Sequence, residues 1–80
     1  MIVVVTKDKT TLVTDSFDDV AFYYADADII KLSCYDDSPE LLSYISNYIN
    51  LKELSCSENM LKQLCDKNIK LCKKIDLLTF

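Results

Sequence analysis

The 80-residue chain contains no glycine, no histidine, no arginine and no tryptophan, and only one proline. Each absence excludes something. Without His, a Cys–His or Ser–His nucleophile cannot be assembled within the chain. Without Gly, there is no Gly-rich phosphate-binding loop. The left-handed backbone of tight turns and helix C-caps must then come from Asn and Asp, which are plentiful: Asp26, Asp28, Asn47, Asn50, Asn59, Asp66 and Asn68. With no Arg and a net charge of −4, the chain lacks the basic footprint that phosphate recognition needs, which argues against nucleic acid as a partner. The apolar start Ile2–Val5 is too short for a secretory leader and has no basic lead-in. No apolar run approaches the roughly 20 residues that cross a bilayer. The expectation is a soluble, intracellular protein that does not insert into membranes, in the host cytoplasm if the source is a virus.

What is present fits one small domain. Half of the residues are hydrophobic, too many for a disordered chain of this charge. The bias toward Lys, Asn, Ile, Tyr and Asp suggests an AT-rich genome such as that of a large DNA virus. The four cysteines, Cys34, Cys56, Cys65 and Cys72, include no Cys-x-x-Cys pair. A zinc site would need all four from separate elements, so reduced, buried thiols are the better expectation.

Taken in order, Ile2–Val5 is continuous and β-branched, a strand by composition. A polar turn over 6–10 and a second short strand over 11–14 make an N-terminal hairpin. Ser16, with Asp19 three residues on, starts a helix over about 17–25. A strand over 29–34 follows. Asp37-Ser38-Pro39-Glu40 starts the clearest helix: Ser38 caps, Pro39 takes the first position and Glu40 meets the dipole. Leu41, Leu42, Ile45, Tyr48 and Ile49 continue it at helical spacing, with Asn47 or Asn50 ending it.

Residues 51–64 organise the rest. Leu51, Leu54, Cys56, Leu61 and Leu64, with Asn59 between them, give the spacing L-x-x-L-x-L-x-x-N-x-L-x-x-L with Cys56 in one leucine position. Leu32-Ser33-Cys34 matches Leu54-Ser55-Cys56 at an offset of 54 − 32 = 22. Ile29 then falls under Leu51, and Asp37 under Asn59. Cys72, Ile75 and Leu77 open a third copy at 75 − 54 = 21, and Leu12 is a degenerate earlier one. This pattern resembles a leucine-rich repeat, over 29–80 well and over 10–28 poorly. The segment after Ser57 reads equally as a capped helix or as an Asn-stabilised turn.

The resemblance implies an α/β fold: a short, solenoid-like parallel sheet with helices on one face, preceded by the hairpin and helix of 1–28. It also implies that the outward sheet face is the ligand surface. On that face stand Lys31, Ser33, Tyr35 and Asp36, then Glu53, Ser55, Ser57 and Glu58, then Lys74, Asp76 and Leu78. Tyr35 is the best single anchor, since Tyr is favoured at interfaces. The alternative is a plain solvated sheet face. Tyr23, Tyr24, Tyr44 and Tyr48 are expected on the helices with their hydroxyls at the surface.

No catalytic set, metal site or cofactor is expected. The acidic pairs Asp18-Asp19 and Asp36-Asp37 fall at helix starts, where capping accounts for them. Cys34 and Cys56 share a repeat position and should be core neighbours; a redox switch is the sharper alternative. A parallel strand at 75–78 would leave an open apolar edge, inviting a second copy or a partner, unless the chain is a fragment. The expected function is therefore a non-enzymatic protein-interaction module. A structural subunit of a homo-oligomer or virion-type assembly is the alternative, and a small enzyme with gathered acids comes third.

Overall fold

In the computed structural model, which describes residues 1–79, the β-branched run Ile2–Thr6 forms β1 and Thr11–Thr14 forms β2. They pair as an antiparallel hairpin, Ile2 opposite Thr14 and Val5 opposite Thr11. The turn manages without glycine by placing Lys9 at φ 71°. Asp8 holds the turn shut: its carboxylate accepts from the Thr6 hydroxyl and, at 3.2 Å, from the Thr10 N–H.

Helix α1, Phe17–Tyr23, begins where Ser16 Oγ accepts from the Asp18 N–H at 3.2 Å, with Asp18 and Asp19 facing the positive end of the helix dipole. A single 3-10 turn, Asp26–Asp28, leads into β3, Ile29–Cys34. Helix α2, Pro39–Ile45, starts at Pro39 as expected, although the Ser38 side chain makes no capping bond. It ends well before Ile49. Ser46 and Asn47, which compete with the helix for backbone bonds, stand where it stops. Successive turns carry Tyr48 and Leu51 into the core regardless, through Tyr48 N–H to Ile45 O at 3.1 Å and Leu51 N–H to Tyr48 O at 3.0 Å.

Strand β4 is Glu53–Cys56. The segment after it is a helix, α3, Glu58–Lys67, capped by Ser57 Oγ, which accepts from the Met60 N–H at 3.2 Å. Asn59 is exposed in its first turn. Asn68 closes α3 and opens α4, Ile69–Lys74, its Oδ1 accepting from the Leu71 N–H at 3.3 Å. Strand β5 is Leu77–Thr79.

The five strands form one open sheet in the order β2-β1-β3-β4-β5. β1 runs antiparallel to both β2 and β3, while β3, β4 and β5 are parallel. The sheet is therefore mixed, not the purely parallel sheet expected. The 22-residue offset is real in space: Leu32 pairs with Leu54, Ser33 with Ser55 and Cys34 with Cys56. The next offset is not 21. Leu54 pairs with Leu78, and 78 − 54 = 24. The apolar residues counted as the third copy, Cys72 and Ile75, instead join Leu71 as the buried side of α4 and its end.

Each inner strand buries alternate residues: Ile2, Val4 and Thr6, then Leu32 and Cys34, then Leu54 and Cys56. The buried residues of all four helices join these in a single core. The helices therefore share one side of the sheet, as parallel crossovers of one hand require.

Candidate functional site: the open sheet face

With every helix on one side, the other side of the sheet is a floor that no helix covers among the described residues. Strand register defines its side chains in two rows. One row runs Val13, Val3, Ser33, Ser55, Thr79, and the other Thr11, Val5, Lys31, Glu53, Leu77. Most of these are short, so the surface is flat. Its β1–β2 end is apolar and its β3–β4 part carries two hydroxyls and one charge of each sign. Val13 and Leu77 at the two rims are 58% and 51% exposed. Such a surface offers hydrogen-bond donors, acceptors and an apolar floor.

Four of the sequence-derived candidates, Lys31, Ser33, Glu53 and Ser55, stand together on this face. The others do not. Tyr35, 57% exposed, and Asp36 follow the end of β3, and Asp36 takes the Met1 amine at 2.5 Å. That amine is held above its usual value by the hydrogen bond to Asp36. Ser57 is committed to helix α3, and its hydroxyl also donates to Asp37 at 2.6 Å. Glu58 lies on α3, 3.6 Å from the Lys62 Nζ one turn on. Lys74 ends α4 and Asp76 precedes β5, so neither is a strand residue.

Leu78 requires a correction. It lies in register with Leu54 and packs against the core, while Leu77 takes the outward position. The offset from β4 is 24 rather than the 21 that the spacing implied, and a slip of an odd number of residues exchanges the two faces. Sequence reasoning also missed Val3, Val5 and Val13 on the open face. A continuous β-branched run does not announce which of its sides is covered.

The tyrosines divide. Tyr44 stacks on Phe17 with centroids 5.2 Å apart, and its hydroxyl donates to Asp18 at 2.5 Å, a bond that raises its pKa. Tyr23 is exposed, whereas Tyr48 is fully buried and burial pushes its pKa up to about 12. Of the acidic pair at α1, Asp18 thus receives Tyr44, and Asp19 accepts the Thr14 hydroxyl at 2.7 Å.

All four cysteines are free. Cys34 and Cys56 are buried neighbours in register, and burial raises both thiols, Cys56 to about 11. The closer pair is one the sequence did not single out: Cys65 Sγ and Cys72 Sγ are 2.8 Å apart. Two shallow clefts lie away from the face, one of about 180 Å³ lined by Thr6, Lys7, Asp8, Tyr24 and Asp28, the other of about 230 Å³ beside Lys52 and Asp76. Both are smaller than the roughly 300–1,000 Å³ of ordinary small-molecule pockets.

These features define a two-layer α/β domain with an open-faced mixed sheet. No protein-family model matches the chain, and neither does any curated protein or any solved structure. Among the described residues, no helix is long and apolar enough to cross a membrane.

Proposed function

We propose that the chain is a non-enzymatic module that binds another protein, or a second copy of itself, through its open sheet face and free sheet edge. The observation that supports this reading is the uncovered side of the sheet, with Lys31, Glu53, Ser33 and Ser55 at its centre and apolar residues at both rims. Magnitudes shape it further. Five strands about 4.8 Å apart and some four residues long offer a floor of about 250 Å². A standard stable interface takes about 800 Å² from each partner. A partner must therefore also use the edge or the loop residues around Tyr35 and Asp36, or bind only transiently. The reading needs no cofactor.

A relation of 29–56 to leucine-rich repeats belongs to the same proposal. Its support is the in-register pairing of the two Leu-Ser-Cys triplets at 22 residues. The exposed Asn59 and the antiparallel β1 depart from that pattern.

The test is affinity capture from a source lysate, comparing the native chain with the double variant Ser33→Arg, Ser55→Arg, after both are shown to fold. Partners kept by the native chain and lost by the variant support the face. Identical captured sets from both proteins would sink it.

The second reading, a structural subunit of a homo-oligomer or virion-type assembly, draws on β2 and β5 being the two edges of one sheet with exposed Val13 and Leu77. Unpaired edges favour strand addition. Its measurement is the solution mass over a concentration series with and without reductant. A reductant-independent oligomer supports it, and a monomer throughout removes it.

A further inference from the structure

We propose that Cys65 and Cys72 are a redox-active pair that closes to an intramolecular disulfide when the protein meets a small-molecule disulfide such as oxidised glutathione. The inference concerns a different part of the molecule from the binding face and does not depend on it.

The geometry carries it. Cys65 lies near the end of α3 and Cys72 in the middle of α4. On one continuous helix, residues seven apart are separated by about 10 Å along the axis. The break at Asn68 folds α4 back instead, and the two sulfurs meet at 2.8 Å. A disulfide bond is about 2.05 Å, so roughly 0.7 Å of further approach closes it. Exposure orders the two thiols. Cys65 is half-buried and can meet a solute, whereas Cys72 is 8% exposed. Burial and its contact with Cys65 hold the Cys72 proton on to about pH 12. Cys34 and Cys56, also neighbours, are buried under the sheet and out of a solute's reach.

The exchange runs in two steps. Cys65 gives up its proton and its sulfur attacks one sulfur of the small disulfide. That S–S bond breaks and one small thiol leaves with a proton. The Cys72 sulfur then loses its proton and attacks the Cys65 sulfur, expelling the second small thiol. Two protein thiols have lost two electrons, and the small disulfide has gained them as two thiols. The product ties α3 to α4, the crossover that delivers β5 to the sheet edge.

The experiment treats the folded full-length chain with oxidised glutathione, removes the reagent, unfolds the chain in urea to block the remaining thiols with iodoacetamide, and reads mass intact and after trypsin. The expected result is a loss of about 2 Da before blocking, with two of the four thiols left to alkylate. Cleavage after Lys62, Lys67, Lys70 and Lys73 separates fragments 63–67 and 71–73, and these should travel as one linked species. Cys65→Ser and Cys72→Ser should each abolish the 2 Da loss, and linkage in the native chain should be faster in buffer than in urea. A lasting glutathione adduct on Cys65, a Cys34–Cys56 link, four alkylatable thiols after treatment, or equal rates in buffer and urea would each overturn the proposal.

Discussion

Lys31 and Glu53 stand side by side, in register, on neighbouring parallel strands at the centre of the sheet's open face. Opposite charges so placed stabilise a strand pair by about 0.2–1 kcal/mol, and like charges cost a similar amount. Glu53→Lys removes the attraction and adds the repulsion, so it should lower stability by about 0.4–2 kcal/mol, and added salt should reduce the loss by screening. Urea unfolding at low and high salt measures both effects. A loss insensitive to salt would mean the substitution acts through packing instead.

The register of β5 makes a prediction about adjacent leucines. Leu54 is 1% exposed under the sheet, and truncating such a residue to alanine costs about 2–5 kcal/mol. Small domains hold only about 5–15 kcal/mol in all, so Leu54→Ala should leave the protein close to unfolding. Leu78→Ala, on the same side but half-buried, should cost less. Leu77→Ala, on the outer side, should stay within about 0.5 kcal/mol. Chemical denaturation of the three variants ranks them, and a larger cost at Leu77 than at Leu78 would reverse the assigned faces.

Lys9 carries a backbone conformation that an L-residue adopts at a cost of about 1–2 kcal/mol, one that glycine avoids. Lys9→Gly loosens the unfolded chain as well, which offsets part of the gain. The net expectation is a stabilisation of about 0.5–1 kcal/mol, read as a higher urea midpoint at unchanged slope.

Alkaline pH should destabilise the fold. Tyr48 has an ordinary pKa of 10, pushed up to about 12 by burial, and Cys56 rises from 9 to about 11 for the same cause. Between those values the unfolded chain has released protons that the folded chain still holds, so stability falls as pH rises. Its loss should begin near pH 9 and continue to about pH 12. Tyr48→Phe should flatten the upper part of that slope relative to the native chain. An unchanged slope would show that Tyr48 does not contribute.

Much of the architecture is legible in the sequence where a local signal has one meaning. The β-branched run at Ile2, Ser16 ahead of two aspartates, and Pro39 behind Ser38 each mark a boundary that the fold respects. The repeated Leu-Ser-Cys triplet predicts which residues lie side by side on β3 and β4. Direction is another matter. Nothing in Ile2–Thr6 tells whether it runs with or against β3, since that is set by the path of the chain between them. The third unit fails for a different reason. Cys72, Ile75 and Leu77 fit a strand-type repeat by spacing, Leu71, Cys72 and Ile75 fit a short helix by period, and a segment so brief does not separate the two. Asn68, which caps α4, is the residue that decides it. The open face was half legible: Lys31, Ser33, Glu53 and Ser55 follow from the repeat, whereas Val3 and Val5 became part of it only once β1 was known to lie inside the sheet.

That inner position of β1 gives the first six residues a weight out of proportion to their length. β1 is flanked by β2 on one side and β3 on the other. Removing it would not trim a border strand. It would strand the 11–14 segment and bare the flank of β3, leaving a three-stranded parallel remnant with a raw margin. During synthesis β1 waits more than twenty residues for β3, its second neighbour. Until then the hairpin has one unfinished side, and an unpaired strand edge is open to mispairing while the chain is being made.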